Sequence, residues 1–309
     1  MASAKMAERR DGGVLERMNA GAALVEAGLS ADCRAALAEL AAGRRPYVVT
    51  APIGGGGAAG AAISEDWAEQ IALGCVQLLG ALPTAYATEN GGKLVREVRP
   101  ELGYETERSS HGRVDLPMHS DMTYLRFPGE EEHPLPSLAP DYLVFACVAN
   151  DASVPMRLVT LERILSALPR HHQEALRSPF FSVRSPESVK PSSTVPDLPL
   201  LLSHPRWGEM LRYNFAYCAA EREDGWTALS ALADFVLQEE AGEYAAPAPG
   251  ALLVLDNRRV IHGRGPIFPT AEINGERRLP KRWFKRIYAL RAETGLTGPG
   301  AEEPFIQPG

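Results

Sequence analysis

The spacing of apolar and polar positions changes along the chain, and the change marks out its elements. From Val14 to Ala27 and from Ser30 to Ala42, alanine and leucine recur at helical spacing. Ser30 is placed to cap the second of these segments, with Asp32 in its first turn. A further helix is predicted from Ser64 to Gly80, with Ser64 as cap and Glu65 and Asp66 complementing the helix dipole. Beyond Lys93 the pattern shortens to strands separated by glycine and proline. Leu94–Val98, Tyr142–Val148, Phe180–Val183, Met210–Asn214, Ala251–Leu255 and Trp283–Leu290 read this way, as does the earlier Arg45–Thr50. Helical spacing returns at Thr160–Leu176 and Gly225–Glu240. Helices first and strands afterwards point to an antiparallel β core dressed by helices, not to alternating βαβ units. The expected fold is therefore mainly β with flanking helices, around a double-stranded β-helix (jelly-roll, cupin-like) core.

Residues 1–13 are largely polar and charged and are expected to be disordered, leaving one domain over residues 14–309. Two proline-rich stretches, at about 123–140 and 184–204, are too long for plain connections and are expected to act as lids. The glycine–alanine run from Gly54 to Ala62 lacks the spacing of a phosphate cradle and reads as a connection.

Composition narrows the partners. A formal net charge of -7 and a pI of about 5.6 argue against a nucleic-acid partner or an anionic membrane surface. The four cysteines are scattered and form no Cys-x-x-Cys pair, as expected of free thiols in a reducing cytoplasm. The most apolar long stretch, Ile71–Ala87, contains Gln77, Gly80, Pro83 and Thr84, and is expected to be a buried helix, not a membrane span.

Candidate chemistry concentrates in Leu116-Pro117-Met118-His119-Ser120-Asp121-Met122. Read as the end of a strand, this stretch turns His119 and Asp121 to one face and Ser120 to the other. His262 follows shortly after the apolar strand Gly250–Leu255 and its turn at Asp256-Asn257. Together the three form a two-histidine, one-carboxylate set that leaves three positions on an iron ion open. The other histidines read as solvated: His171 and His172 adjacent on a helix, and His111, His133 and His204 in loops. Arg282 and Arg286, four apart on a strand, face one way, and a guanidinium forks onto a carboxylate with two parallel hydrogen bonds. Ferrous iron, Asp121 and a bound 2-oxoacid dianion together carry one surplus negative charge, which one arginine cancels.

These segments, with Leu253–Phe268 and Arg282-Trp283-Phe284-Lys285-Arg286, resemble the clavaminate synthase-like branch of the TauD/TfdA family of iron(II)- and 2-oxoglutarate-dependent oxygenases. The likeness runs from about Arg45 to Leu290. It implies a jelly-roll core, His119, Asp121 and His262 as iron ligands, Arg282 holding the distal carboxylate of 2-oxoglutarate, and dioxygen as the third reactant. It places Arg286 close by, within reach of a substrate carboxylate, and makes Glu89 a candidate for a substrate ammonium. Ser110 and Asn214 are the remaining candidate substrate contacts. Three features depart from the branch. Asp121 stands where many members have glutamate. The gap from His262 to Arg282 is longer, with Glu276–Pro280 as an inserted turn that makes Arg277 and Arg278 alternative anchors. Asn214 and Ala216 are neutral where relatives that hydroxylate free arginine carry acidic residues.

The reaction implied is hydroxylation of a free or carrier-bound L-amino acid, with succinate and carbon dioxide released. Asp121 fills the position that a halogenase of this type leaves for halide, which favours hydroxylation. Desaturation or ring closure would use the same residues. Two other readings remain open: a zinc hydrolase with a metal-bound water, and a non-catalytic jelly-roll binding protein. The zinc reading gives the downstream arginine pair no task.

Overall fold

A computed structural model describes residues 2–54, 62–101, 103–150, 154–268, 271–273, 276–278, 280–292 and 305–307. The chain opens with helices α1 (Ala2–Gly28) and α2 (Ala31–Ala41), strand β1 (Tyr47–Val49) and helix α3 (Glu65–Leu78). Strands β2 (Ala81–Tyr86), β3 (Val95–Val98), β4 (Leu116–His119), β5 (Tyr142–Asn150) and β6 (Met156–Thr160) follow, then α4 (Leu161–Ala167) and α5 (Arg170–Leu176). Next come β7 (Phe181–Arg184), β8 (Thr194–Leu198), β9 (Leu201–His204), β10 (Gly208–Leu211), β11 (Cys218–Ala220) and α6 (Glu223–Leu237). The chain closes with β12 (Glu243–Ala245), β13 (Leu252–Asp256), β14 (Val260–Arg264), β15 (Ala271–Ile273), β16 (Glu276–Arg278), β17 (Arg282–Arg291) and β18 (Phe305–Gln307).

The main sheet runs β1-β13-β5-β17-β2-β18, with β3 also paired to β17. Its pairs are antiparallel except β18 on β2. A second antiparallel sheet, β12-β6-β14-β4, carries the histidine-bearing strands. Alternate residues of β5 divide between two cores. Leu143, Phe145 and Cys147 belong to the core that includes the second sheet, whereas Tyr142, Val144, Ala146 and Val148 pack with the N-terminal helices. Burial on both faces explains why β5 is continuously apolar instead of alternating. Each fully buried Leu, Val, Ile or Phe side chain contributes about 1.5–3 kcal/mol by leaving water.

The helical layer sits tightly. Ser30 and Ser64 cap α2 and α3 as expected, accepting from the amides of Cys33 and Trp67 at 3.2 Å each. Helices α1 and α3 meet backbone to backbone: a Cβ on Gly21 would lie 2.1 Å from the Gln70 carbonyl oxygen. One on Gly74 would lie 2.1 Å from the Gly21 carbonyl carbon.

Several expectations need correction. Helix α1 runs from Ala2 to Gly28 and so starts before Val14. The helix expected over Thr160–Leu176 breaks in two at Leu168-Pro169, because a residue before proline is pushed out of the helical region; Leu168 has ψ 131°. The apolar run Ile71–Ala87 is helix only to Leu78. Gly80 turns it with φ 61° and the rest is strand β2. Of the Gly54–Ala62 connection, residues 55–61 lie outside the described residues. Cys75, Cys147 and Cys218 are buried free thiols and Cys33 is half-buried. Among the described residues no helix is long and apolar enough to cross a membrane.

The stretch at 123–140 is a packed wall, not a lid. Tyr124, Leu125, Phe127, Leu138 and Ala139 are buried. The buried Arg212 guanidinium donates to the carbonyls of Thr123 at 3.1 Å and Leu125 at 3.4 Å, and pairs with Glu130. From the other side, Leu138 donates to Gln307 Oε1 at 2.6 Å and accepts from the Tyr86 hydroxyl at 2.7 Å. In the second expected lid, β8 and β9 occupy much of the stretch. What remains irregular, residues 185–193, is pinched shut where Ser185 and Ser193 exchange hydrogen bonds of 2.8 and 2.9 Å.

Candidate metal centre and its cavity

Strands β4 and β14 pair so that His119 and His262 are direct cross-strand neighbours, their ring centroids 4.5 Å apart. Gly263 permits this approach, since a Cβ there would come within 2.8 Å of the Leu116 carbonyl oxygen. Asp121 lies just past the end of β4, where Met122 takes a left-handed turn at φ 56°. That conformation costs a non-glycine residue about 1–2 kcal/mol, and such strain collects where a side chain must be aimed. Ser120 points away, as expected, and binds the Tyr213 backbone.

One ligand atom each from His119, Asp121 and His262 falls within 4.8 Å of the other two. Asp121 Oδ1 is 3.1 Å from His119 Nε2 and 4.0 Å from His262 Nε2. His119 Nδ1 donates to the Pro117 carbonyl at 2.7 Å, which turns Nε2 toward the cluster, where a metal would displace its proton. Asp121 Oδ2 accepts from Arg286 Nη1 and from the Tyr288 hydroxyl, each at 2.9 Å. Its backbone is clamped by the Asn257 side chain, whose Oδ1 accepts from the Asp121 amide at 2.8 Å and whose Nδ2 donates to its carbonyl at 3.0 Å.

Electrostatics prepares the same atoms. Burial pulls His262 down to about 3, with repulsion from His119 adding to it, so the imidazole stays neutral. Burial also acts to lower His119, but the hydrogen bond and charge of Asp121 and the Pro117 carbonyl outweigh it and raise the group. Burial works to raise Asp121, yet the His119 hydrogen bond and the Arg286 charge hold it well below the usual carboxylate range. Two imidazole nitrogens and one carboxylate oxygen, with open space on the remaining side, suit a divalent iron ion.

That space is a cavity of about 980 Å³, lined among others by Glu89, Ser110, Phe145, Asn214, Arg282, Phe284, Arg286 and Tyr288. With the His119, Asp121 and His262 cluster it gathers every candidate site residue except the alternative anchors Arg277 and Arg278. Residues 186–190 also line it, whereas from the stretch 123–140 only Thr123 does. Arg282 is 3% exposed, and among the described residues no carboxylate lies within ion-pair distance of it. Its Nε has no hydrogen-bond partner there. Burial, together with repulsion from Arg264, pulls its guanidinium down to about 9. The Phe284 ring, 4.8 Å away, is its nearest compensation. A buried cation left in this state is a fitted receptor for an anion. The alternative anchors Arg277 and Arg278 sit instead on the separate β15–β16 hairpin, their side chains outside the described residues.

Arg286 was expected at a substrate carboxylate, but here it bridges Asp121 and Glu89, meeting Glu89 Oε1 at 3.1 Å. Glu89 is buried and also pairs with Arg96, which in turn donates to Ser110 at 3.0 Å. Asn214 forms an isolated bridge with His119. Sequence reasoning missed Asn257, Tyr288, Arg96 and Arg264. Arg264 fastens the cavity rim by donating to the carbonyls of Ser109, Gly112 and Val114. Only the position of Tyr288, six residues after Arg282 and so on the same face of β17, could have flagged it.

No family model matches the chain. An L-asparagine oxygenase of Streptomyces coelicolor is 26% identical over 216 residues, which cover 67% of this chain but 57% of that protein. The match thus spans little more than half the length of that relative. Asparagine oxygenase solved with Fe(II), 3-hydroxyasparagine and succinate superposes with a TM-score of 0.68 at 22% identity, covering 95% of each chain. The non-heme iron oxygenase OrfP, solved with iron and alpha-ketoglutaric acid, gives 0.69 at 20% identity over 94% of this chain and 96% of its own. In fold, the chain is one with these non-heme iron oxygenases, as its resemblance to the clavaminate synthase-like branch implied.

Proposed function

We propose that the protein is an iron(II)- and 2-oxoglutarate-dependent dioxygenase that hydroxylates an unactivated C–H bond of an L-amino acid or close derivative. The observation that carries this reading is the pairing, in one cavity, of the His119–Asp121–His262 cluster with an uncompensated buried Arg282. Iron would be held by the two Nε2 atoms and Asp121 Oδ1, and the distal carboxylate of 2-oxoglutarate by the Arg282 guanidinium. Together those groups supply oxidation by dioxygen, in which 2-oxoglutarate becomes succinate and carbon dioxide and the substrate carbon gains a hydroxyl.

The chain's own residues do the rest. The Pro117 carbonyl fixes the tautomer of His119, and Asn257 fixes the backbone of Asp121. Phe145, Met156 and Phe284 give the cavity its apolar wall and limit water beside the cluster. A substrate ammonium would share Glu89 with Arg96 and Arg286, the two cations that would in turn face a substrate carboxylate. Asn214 and Ala216 line the cavity without charge, which supports a neutral side chain over a guanidinium. The asparagine oxygenase relative is consistent with that choice. The zinc-hydrolase reading uses the same three donors but leaves Arg282 buried at a cost and without a task.

Succinate release tests the proposal: the purified protein, with ferrous iron, 2-oxoglutarate and air, is given a panel of free and carrier-bound amino acids. At least one neutral amino acid is expected to raise succinate above the uncoupled background and to gain one oxygen by mass. Zinc retained through purification, with no succinate from any member of the panel, would remove the reading.

A further inference from the structure

Asp121 has two oxygens, and the structure treats them differently. Oδ1 is the one near both histidine Nε2 atoms. Oδ2 is turned away and accepts two hydrogen bonds of 2.9 Å, from Arg286 Nη1 and from the Tyr288 hydroxyl. Both donors come from β17, where residues two apart share a face. They are packed on one another, with the Arg286 guanidinium 3.8 Å from the centre of the Tyr288 ring. The ring is fixed on its other side by an edge contact with Tyr86 at 5.6 Å. Tyr288 is 5% exposed, so little of its side chain meets solvent.

From this geometry we infer that Tyr288 is a positioning residue: with Arg286, it keeps Asp121 a one-oxygen ligand and so preserves an open place on the metal. The inference rests on the metal centre proposed above. The physical reason is stereochemical. A carboxylate whose second oxygen is free can swing to bind a cation through both, as it commonly does around larger ions. Iron held by three protein donors and a chelating 2-oxoacid would keep one place for dioxygen, and a second oxygen from Asp121 would compete for that place. Two donors on Oδ2 make that swing expensive, since it forfeits hydrogen bonds to a buried charge. Arg286 alone gives Oδ2 a single donor, Nη1, because its Nη2 is spent on Glu89.

Tyr288→Phe tests this by removing one oxygen and keeping the ring against Tyr86 and Arg286. The probe is cobalt(II) alone, added anaerobically to the metal-free full-length protein and followed by visible absorption, with and without 2-oxoglutarate. Loss of such an outer partner typically costs about 10- to 100-fold in metal affinity, and the lower end is expected here because Arg286 remains. The ligand-field band of the cobalt complex with 2-oxoglutarate is expected to weaken and shift toward a more highly coordinated form. Tyr86→Phe is the control: its hydroxyl serves the Leu138 carbonyl, so it should lower the melting temperature without moving cobalt affinity or spectrum. Tyr288→Phe binding cobalt with wild-type affinity and spectrum would overturn the inference and leave the metal centre standing. Wild-type protein that binds no cobalt would instead overturn the metal centre, and this inference with it.

Discussion

Replacing Arg282 with methionine should make the metal-free protein more stable and, at the same time, deprive it of its cosubstrate. Arg282 is 3% exposed and lacks an ion-pair partner among the described residues, and its guanidinium is held at about 9 instead of its ordinary 12.5. At 1.36 kcal/mol for each pH step, the buried cation costs the fold at most about 5 kcal/mol at neutral pH. Polar atoms and water in the cavity reduce that figure, and the lost contact with the Phe284 ring takes back about 1 kcal/mol. A net gain of about 2–4 kcal/mol is expected, because exchanging an uncompensated buried charge for an apolar side chain of similar volume is often stabilising. At roughly 1.5–2 °C per kcal/mol in a chain of this length, the melting temperature of the metal-free protein should rise by about 3–8 °C. The same change removes the cation from a buried, hydrogen-bonded charge pair with the cosubstrate, a loss of about 2–5 kcal/mol or at least thirtyfold in affinity. Differential scanning fluorimetry of the chelated protein reads the first effect. An anaerobic titration with ferrous iron and 2-oxoglutarate, followed by the charge-transfer band, reads the second. A variant that melts lower than wild type, or that binds 2-oxoglutarate as well, would show that Arg282 is a structural arginine.

Other outcomes follow from the same geometry. His262→Ala should abolish ferrous iron binding by equilibrium dialysis while circular dichroism stays native, whereas His171→Ala, on α5, should change neither. Metal affinity should rise with pH: the raised His119 holds a proton that the metal must displace, while His262, held at about 3, stays neutral throughout. The protonated His119 stabilises the metal-free fold at low pH, and that contribution is lost as pH rises through its raised value. Calorimetry at pH 6.5 in buffers of different ionisation enthalpy should therefore register proton release on cobalt binding, and none would contradict the assignment. Arg212→Ala should lower stability by about 3–5 kcal/mol, because it strands the Glu130 carboxylate. Urea unfolding would detect this, and a loss under 1 kcal/mol would mean that the wall at 123–140 stands without Arg212.

The cluster of His119, Asp121 and His262 was legible because each member depends on short-range rules. Alternation along a strand put His119 and Asp121 on one face, and the apolar run before Asp256 located the strand pair that carries His262. Arg282 and Arg286 were legible for the same reason. What escaped was set by partners far away in sequence. Glu89 could be told from a surface glutamate only once Arg96 and Arg286 closed on it. The stretch at 123–140 has the composition of a loop, but its backbone groups are satisfied by Arg212, Tyr86 and Gln307 from distant elements. The helix break at Leu168-Pro169 was different in kind, since proline announces it locally.

Strand β17 works on both sides at once. Arg282, Phe284, Arg286 and Tyr288 face the cavity, while Trp283, Ile287 and Ala289 pack with the helical layer and Lys285 reaches Glu65 there. A single residue inserted or deleted within this strand would exchange the two sets, sending the arginines into the helix packing and the tryptophan toward the metal. The β15–β16 hairpin just before it falls outside this alternating register. Variation in what the protein accepts would fall at the rim, at residues 104–110, 186–190 and 214–217, which lie outside the register of β17. Engineering for a new substrate belongs at that rim, with β17 treated as a ruler whose divisions cannot be moved.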